Sequence, residues 1–491
     1  MKNLLFLLLS FTLVLSSCSK EESNIIEQQF VNEEPASNVE SGVDASNRPY
    51  EITRSLISIP INDFPSIKAI TNTIRENAGG FIFEIEGDFY YLRPGVTENE
   101  YVSSIYETPP SPAIILKLGE ISGEPKWGLL RVDKNVNTWA IRCFKQVGNE
   151  VVLGDGNEIG PNEGEDFWKG DVWHGKLLPL GDIKWTRVTD DQSMGFHHGI
   201  ALGDLNGDGL LDIGSGPGYG EFIPPSTVTI RPNLWINNGN GTYDWQLDLI
   251  PKEISNPFAL EFADVTGDSR DEIILGGNSY GFNVPSKFFV YSYDDELNKY
   301  VLHSENSEEN TLWQYGMFAN KVGAYDFNND GIKDIIDYMS DESGEGFGIW
   351  TGRGDGTYAP FFSKIFTDGS LSALDFEIFD ANNDGYLDVL LRPNGYRPLF
   401  RIDPSKGEGQ GSNGIKLNQM IWLNDGTGRF TYYSEKDLTI ETDVPGRYFE
   451  PVFAIPYKLD DDLHFIAVEG STSRVENGYL NYTVYDIKIN L

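Results

Sequence analysis

Cysteine is almost missing from this chain, with two copies among 491 residues, Cys18 and Cys143. Two cysteines so placed make no disulfide framework, so something else must tighten the fold. Basic residues are scarce too: 37 Lys and Arg face 75 Asp and Glu, and a net charge of −38 argues against nucleic acid and anionic lipid as partners, since both would repel it. That balance favours cations. Beyond the N-terminal segment no stretch reaches the roughly 18 apolar residues that a membrane-crossing helix needs. No zinc-binding helix, phosphate-binding loop or nucleophile elbow is read from the sequence. No catalytic residue is assigned.

What is present is enough for a large core: 40% of the residues are hydrophobic and 13% aromatic, as in globular proteins. The start, "MKNLLFLLLSFTLVLSSCSK", sets Lys2 before an apolar run from Leu4 to Leu15, the length of a secretory signal. Its ending, "LSSC", resembles a bacterial lipobox, which implies a signal peptide over residues 1–17 and a lipidated Cys18. The following "SKEES" resembles the acidic export tag of surface lipoproteins in Gram-negative bacteria. Residues 18–50 are acidic, polar and aperiodic, and read as a flexible tether. The expectation is an exported protein anchored to the outer membrane at the cell surface, touching the membrane only through its lipid.

Four short stretches repeat. "DLNGDGLLDI" from Asp204 returns as "DVTGDSRDEI" from Asp264, "DFNNDGIKDI" from Asp326 and "DANNDGYLDV" from Asp380, a period of roughly 60 residues. Oxygen-bearing side chains fall at loop positions 1, 3, 5 and 9: Asp204, Asn206, Asp208 and Asp212; Asp264, Thr266, Asp268 and Glu272; Asp326, Asn328, Asp330 and Asp334; Asp380, Asn382, Asp384 and Asp388. A hard cation such as Ca²⁺ collects six to eight oxygens, so a tight loop must turn alternate side chains inward and add a backbone carbonyl. Position 7 is placed to give that carbonyl, from Leu210, Arg270, Ile332 and Tyr386. Asp, Asn and Gly also favour plain turns, but four copies in one register favour a metal role, with up to four structural calcium ions. The second loop should bind most weakly, because Ser269 replaces the glycine of the other three and Thr266 is a neutral donor.

An EF-hand would need a following helix and a carboxylate at position 12. Position 12 is Ser215, Leu275, Asp337 and Leu391, and each loop runs into a short β-prone stretch such as "LDIGSG" or "LDVLLR". The loops therefore join strands. With upstream strands such as "GIALGD" and downstream hairpins such as "LWINNGNGTYDW", each unit holds four strands, and such units repeated radially make a β-propeller. The units resemble FG-GAP or VCBS repeats, the blade type of the integrin α-subunit propeller. That resemblance, over about residues 195–440, implies calcium between the first and second strands of a blade. The fold expected is all-β: a propeller of four-stranded blades, seven in number, with calcium loops in four. Residues 191–491 carry the repeat-type blades, and the final unit has a collapsed loop at Asp460 to Asp462 without calcium. Residues 51–190 read as two degenerate blades or a separate small β domain.

Strand alternation puts the metal loops on one face and the loops between second and third strands on the other, where 214–233 and 392–414 are long and irregular. Such loops on a rigid scaffold are where recognition concentrates. Arg392, Tyr396, Arg397 and Arg401 could grip an anionic glycan, or pair internally with acidic neighbours. His197 and His198 fall at the axial end of that face, as a base or as hydrogen-bonded structure. Trp235, Trp350 and Trp422 hold one repeat position and read as core, Trp168, Trp173 and Trp313 break the register, and the "RGD" at Arg353 reads as a turn. The function expected is a surface binding module for polysaccharide. A polysaccharide lyase or a protein-binding adhesion module is the alternative, and the oligomeric state is open.

Overall fold

The computed structural model describes residues 50–60, 80–93, 111–138, 141–156, 170–190, 195, 197–217, 232–250, 259–276, 287–307, 318–340, 345–366, 373–393, 414–416, 420–427, 429–433, 439–441, 451–469, 474–476 and 478–491. Seven antiparallel sheets follow one another around a ring, and the only helical element among the described residues is one turn at Pro179–Gly181. Blade 1 spans residues 81–138, blade 2 141–187, blade 3 197–245, blade 4 260–307, blade 5 318–366 and blade 6 373–432. Blade 7 combines residues 451–489 with 50–60. First strands touch from blade 2 through blade 6 and again between blades 7 and 1, and so line the axis.

Local sequence explains this layering. Inner strands are covered on both sides and read as continuous apolar runs, as in blade 4, where Leu260–Ala263 and Glu272–Gly276 are buried throughout. Outer strands alternate instead, as Tyr243–Trp245 does. The core is divided accordingly: each of the hydrophobic clusters lies between two neighbouring blades. Trp235 packs between blades 2 and 3, Trp350 between 4 and 5, and Trp422 between 5 and 6, all buried. Large aromatic surfaces of this kind dominate the energetics of packed layers.

One feature departs from the sequence reading. Residues 50–60 do not belong with the first blades; Tyr50–Pro60 is the outermost strand of blade 7, paired with Tyr479–Ile489 from Tyr50↔Ile489 to Pro60↔Tyr479. This strand closes the ring by joining two distant parts of the chain in one sheet. Blades without metal-type loops instead join their first two strands by two-residue turns. In blade 1 Glu86 and Gly87 both take positive φ, +54° and +87°, the geometry whose twist matches paired strands. Blade 7 turns in the same way at Asp460 and Asp461, with Asp460 at φ +54°.

Candidate functional site

The four acidic loops all connect the first and second strands of blades 3 to 6, on one face of the ring. Their backbone folds around the position 1 carboxylate. Asp204 accepts hydrogen bonds from the backbone N–H of Gly207, Asp208 and Gly209 at 2.7, 3.1 and 2.8 Å. Asp264, Asp326 and Asp380 repeat the bond to position 6, from Ser269, Gly331 and Gly385 at 3.0, 2.8 and 2.9 Å. The position 5 carboxylates of Asp208, Asp268, Asp330 and Asp384 accept the N–H of Leu210, Arg270, Ile332 and Tyr386. Position 6 takes positive φ in every copy, +81° at Gly209, +75° at Ser269, +84° at Gly331 and +90° at Gly385. A side chain is disfavoured there, so Ser269 carries strain that its counterparts avoid.

Position 9 lies deeper. Asp212, Glu272, Asp334 and Asp388 are buried at the strand start. Asp212 accepts from Leu205 and Asn237, Asp334 from Phe327 and Gly352, and Asp388 from Ala381 and Asn424. These carboxylates therefore tie the loop to the third strand of the blade. Burial pushes Asp212 up to about 7, with the charges of Asp208 and Asp204 adding to the shift. Asp334 and Asp388 are pushed up to about 6 for the same reasons, and Glu272 is raised. A cation beside such a group would offset both its lost hydration and the repulsion from its neighbours.

The donor chemistry fits a hard cation in blades 3, 5 and 6, where three carboxylates and one amide oxygen share a nine-residue loop. The amides already interact with the carboxylates: Asn206, Asn328 and Asn382 each donate to the position 5 aspartate at 2.9 to 3.0 Å. Blade 4 differs, because the Thr266 hydroxyl donates to Glu272 Oε1 at 2.9 Å. Among the described residues no three His, Cys, Asp or Glu side chains stand close enough together to form a metal cluster.

The expected ligand residues part company. Arg392 is buried at 5% exposure. It pairs with Asp375 at 3.1 Å and Glu377 at 3.5 Å, donates to the Gly80 carbonyl at 2.7 Å, and lies over the Phe81 ring. Its guanidinium thus ties blade 6 to blade 1. Tyr396, Arg397 and Arg401 lie outside the described residues, as do Cys18, Trp168, Trp313 and most of both long loops. His197 is fully buried, its Nδ1 2.7 Å from Ser215 Oγ, and burial holds its pKa down at about 3, so the ring is neutral. His198 is half-buried and Trp173 packs partly buried in the blade 1 and 2 cluster. The "RGD" is a turn: Arg353 N–H donates to Thr357 O, and Asp355 accepts from Thr357 N–H.

An ion-pair network at the axis escaped sequence reasoning. Lys145 of blade 2 meets Glu261 of blade 4 at 2.5 Å, reaching past blade 3. Lys321 of blade 5 meets Asp375 of blade 6 at 2.6 Å, beside Arg392. Ala201 and Gly323 occupy the positions in blades 3 and 5 that correspond to Glu261 and Glu377, counting back from the loop aspartates. The space at Gly323 is taken by the Tyr325 ring, which a Cβ there would meet at 2.6 Å, so the alternation of charged and small residues is visible only once the repeats are aligned. The spacing "GNSYG" at 277–281 also fits a nucleophile elbow, but it lies outside the described residues, which contain no α-helix.

The architecture is that of a seven-bladed β-propeller. Residues 326–391, which hold the third and fourth acidic loops, match the family of FG-GAP-like repeats. No curated protein matches the chain. Among solved structures it is similar to a putative 6-phosphogluconolactonase from Bacteroides uniformis, with TM-score 0.42, 14% identity, and 73% of this chain and 85% of that one covered. It is similar to the periplasmic gluconolactonase of Pseudomonas aeruginosa, with TM-score 0.41, 12% identity, and 78% and 94% covered. A Trypanosoma rangeli sialidase in complex with sialic acid aligns with TM-score 0.37 and 10% identity over 88% of this chain and 58% of that one.

Proposed function

We propose that this protein is an exported, lipid-anchored propeller that binds calcium structurally in the loops of blades 3 to 6 and presents its opposite face to a polysaccharide. The observation that carries the reading is the fourfold recurrence of one acidic loop with a buried carboxylate at position 9. Positions 1, 3, 5 and 9 would hold the ion, with the position 7 carbonyl completing its shell. Calcium bound only by the folded loops adds its binding free energy to the native state, in a chain with no disulfide to do so. The metal would stabilise the scaffold, and the sugar would meet the long loops on the other side.

Calorimetric titration of the chelator-stripped protein tests the metal half, with uptake of up to four calcium ions and a raised Tm expected. No uptake at millimolar calcium would defeat it. A glycan array with and without chelator tests the ligand half: binding to acidic polysaccharides that weakens on chelation supports it, and a blank array refutes it. Ultraviolet absorbance from unsaturated products on incubation with uronic-acid polymers would instead make the protein a lyase.

A further inference from the structure

Away from the metal-type loops, a cavity of about 480 Å³ opens between blade 1 and blade 7, with its chain-closing strand. One wall is apolar, built by Phe89, Leu118, Pro125 and Leu459. The lining also includes His464 and Asp486, whose side chains are only 4% and 1% exposed. His464 Nδ1 lies 2.6 Å from Asp486 Oδ1, while Asp486 Oδ2 accepts from Trp127 Nε1 at 2.9 Å and from the Tyr457 hydroxyl. A carboxylate can only accept, so the proton in the contact sits on Nδ1, and in the neutral tautomer Nε2 presents its lone pair. Among the described residues Nε2 makes no hydrogen bond, although the ring is buried and lines the cavity.

The charge around this nitrogen is mostly negative, with Lys488 the one lysine or arginine in the lining. Lys488 is engaged by Asp462 at 2.5 Å, and nearby Lys117 by Asp88 at 2.6 Å. Glu51, Glu120 and Asp460 line the exposed part of the cavity and have no ion-pair partner among the described residues. A rigidly held acceptor, an apolar wall and a mouth in which carboxylates outnumber the single Lys488 are complementary to a small cation with an N–H to donate and a short hydrocarbon body. The volume is in the range of small-ligand sites. A bare metal ion fits less well, because these carboxylates do not converge on the imidazole.

We propose that this cavity is a binding site for a small organic ammonium compound, which donates an N–H to His464 Nε2 and faces its charge to Glu51, Glu120 and Asp460. The lining holds no residue of the acidic loops, but it adjoins that of blade 6, where Asn383 donates to the Asp461 carbonyl at 2.8 Å, next to Asp460.

The test is histidine-detected NMR on the full mature chain at pH 8 with calcium saturating, so that the loops do not respond. The probe is 1,4-diaminobutane, and His464→Gln assigns the resonance. A saturable shift of the His464 signal is expected, with affinity at least tenfold weaker in the Glu51→Gln, Glu120→Gln, Asp460→Asn variant, whose changes are exposed and leave the fold intact. The proposal is overturned by an absent shift, by an equal shift with potassium chloride at matched ionic strength, by undiminished affinity in the triple variant, or by a response to added zinc or magnesium in place of the amine.

Discussion

At the scale of single residues, His197 and Asp337 are buried groups with opposite consequences for stability. His197 has its pKa held down at about 3 by burial, so its neutral form is favoured by folding. Its contribution is complete above the unfolded value near 6.5 and is lost as pH falls toward 3. Asp337 is pushed up to about 8 by burial alone, and its Oδ1 has no partner. Its protonated form is favoured by folding, so its contribution is present in acid and is lost as pH rises through about 8. Urea unfolding across pH should show Asp337→Asn removing the loss that runs from about pH 4 to about 8, and His197→Gln flattening the slope between about pH 6 and 4. At position 6 of the blade 4 loop, Ser269 sits at φ +75°. Ser269→Gly should stabilise the protein by about 0.5–1 kcal/mol, since glycine reaches that backbone region without strain; equal or lower stability in chemical denaturation would count against strain there.

At the scale of elements, the loop between first and second strands decides what a blade can do. Blades 1 and 7 spend two residues on that connection, and both lack the alternating oxygens. Blades 3 to 6 spend eight, which places a carboxylate at the start of the second strand, where in blades 3, 5 and 6 it fastens the third. The blade 4 copy has its neutral donor hydrogen-bonded to Glu272. Under chelator titration one calcium ion should leave before the rest, and a Thr266→Asn, Ser269→Gly variant should retain it, which stoichiometry by atomic emission would register. Asp330→Ala should remove one ion and lower Tm in calcium more than in chelator.

At the scale of the whole molecule, two devices hold the ring shut. The strand Tyr50–Pro60 buries Ile57 and Ile59 against blade 7, worth roughly 1.5–3 kcal/mol each. Deleting residues 1–60 should cost several times that single-residue figure and broaden the unfolding transition; an unchanged transition would mean that the ring closes without it. Across the axis, Arg392 joins blades 6 and 1, and Lys145 joins blades 2 and 4. Arg392→Met would remove the cation that Asp375 and Glu377 share and the donor to the Gly80 carbonyl, readable as a fall in Tm at neutral pH.

Much of the ring was legible in the amino-acid order, because a repeated blade writes its loop residues at the same register each time and strands of period two announce their buried faces locally. Asp204, Asp264, Asp326 and Asp380 mark the blades, and Trp235, Trp350 and Trp422 mark the layers between them. Tertiary structure alone decided the rest. The closing strand pairs Tyr50 with Ile489, Arg392 reaches Gly80, and His464 is fixed by an aspartate, a tyrosine and a tryptophan drawn from two blades. Each of these contacts joins residues with no shared period and no local partner, so only the closure of the chain on itself brings them within bonding distance.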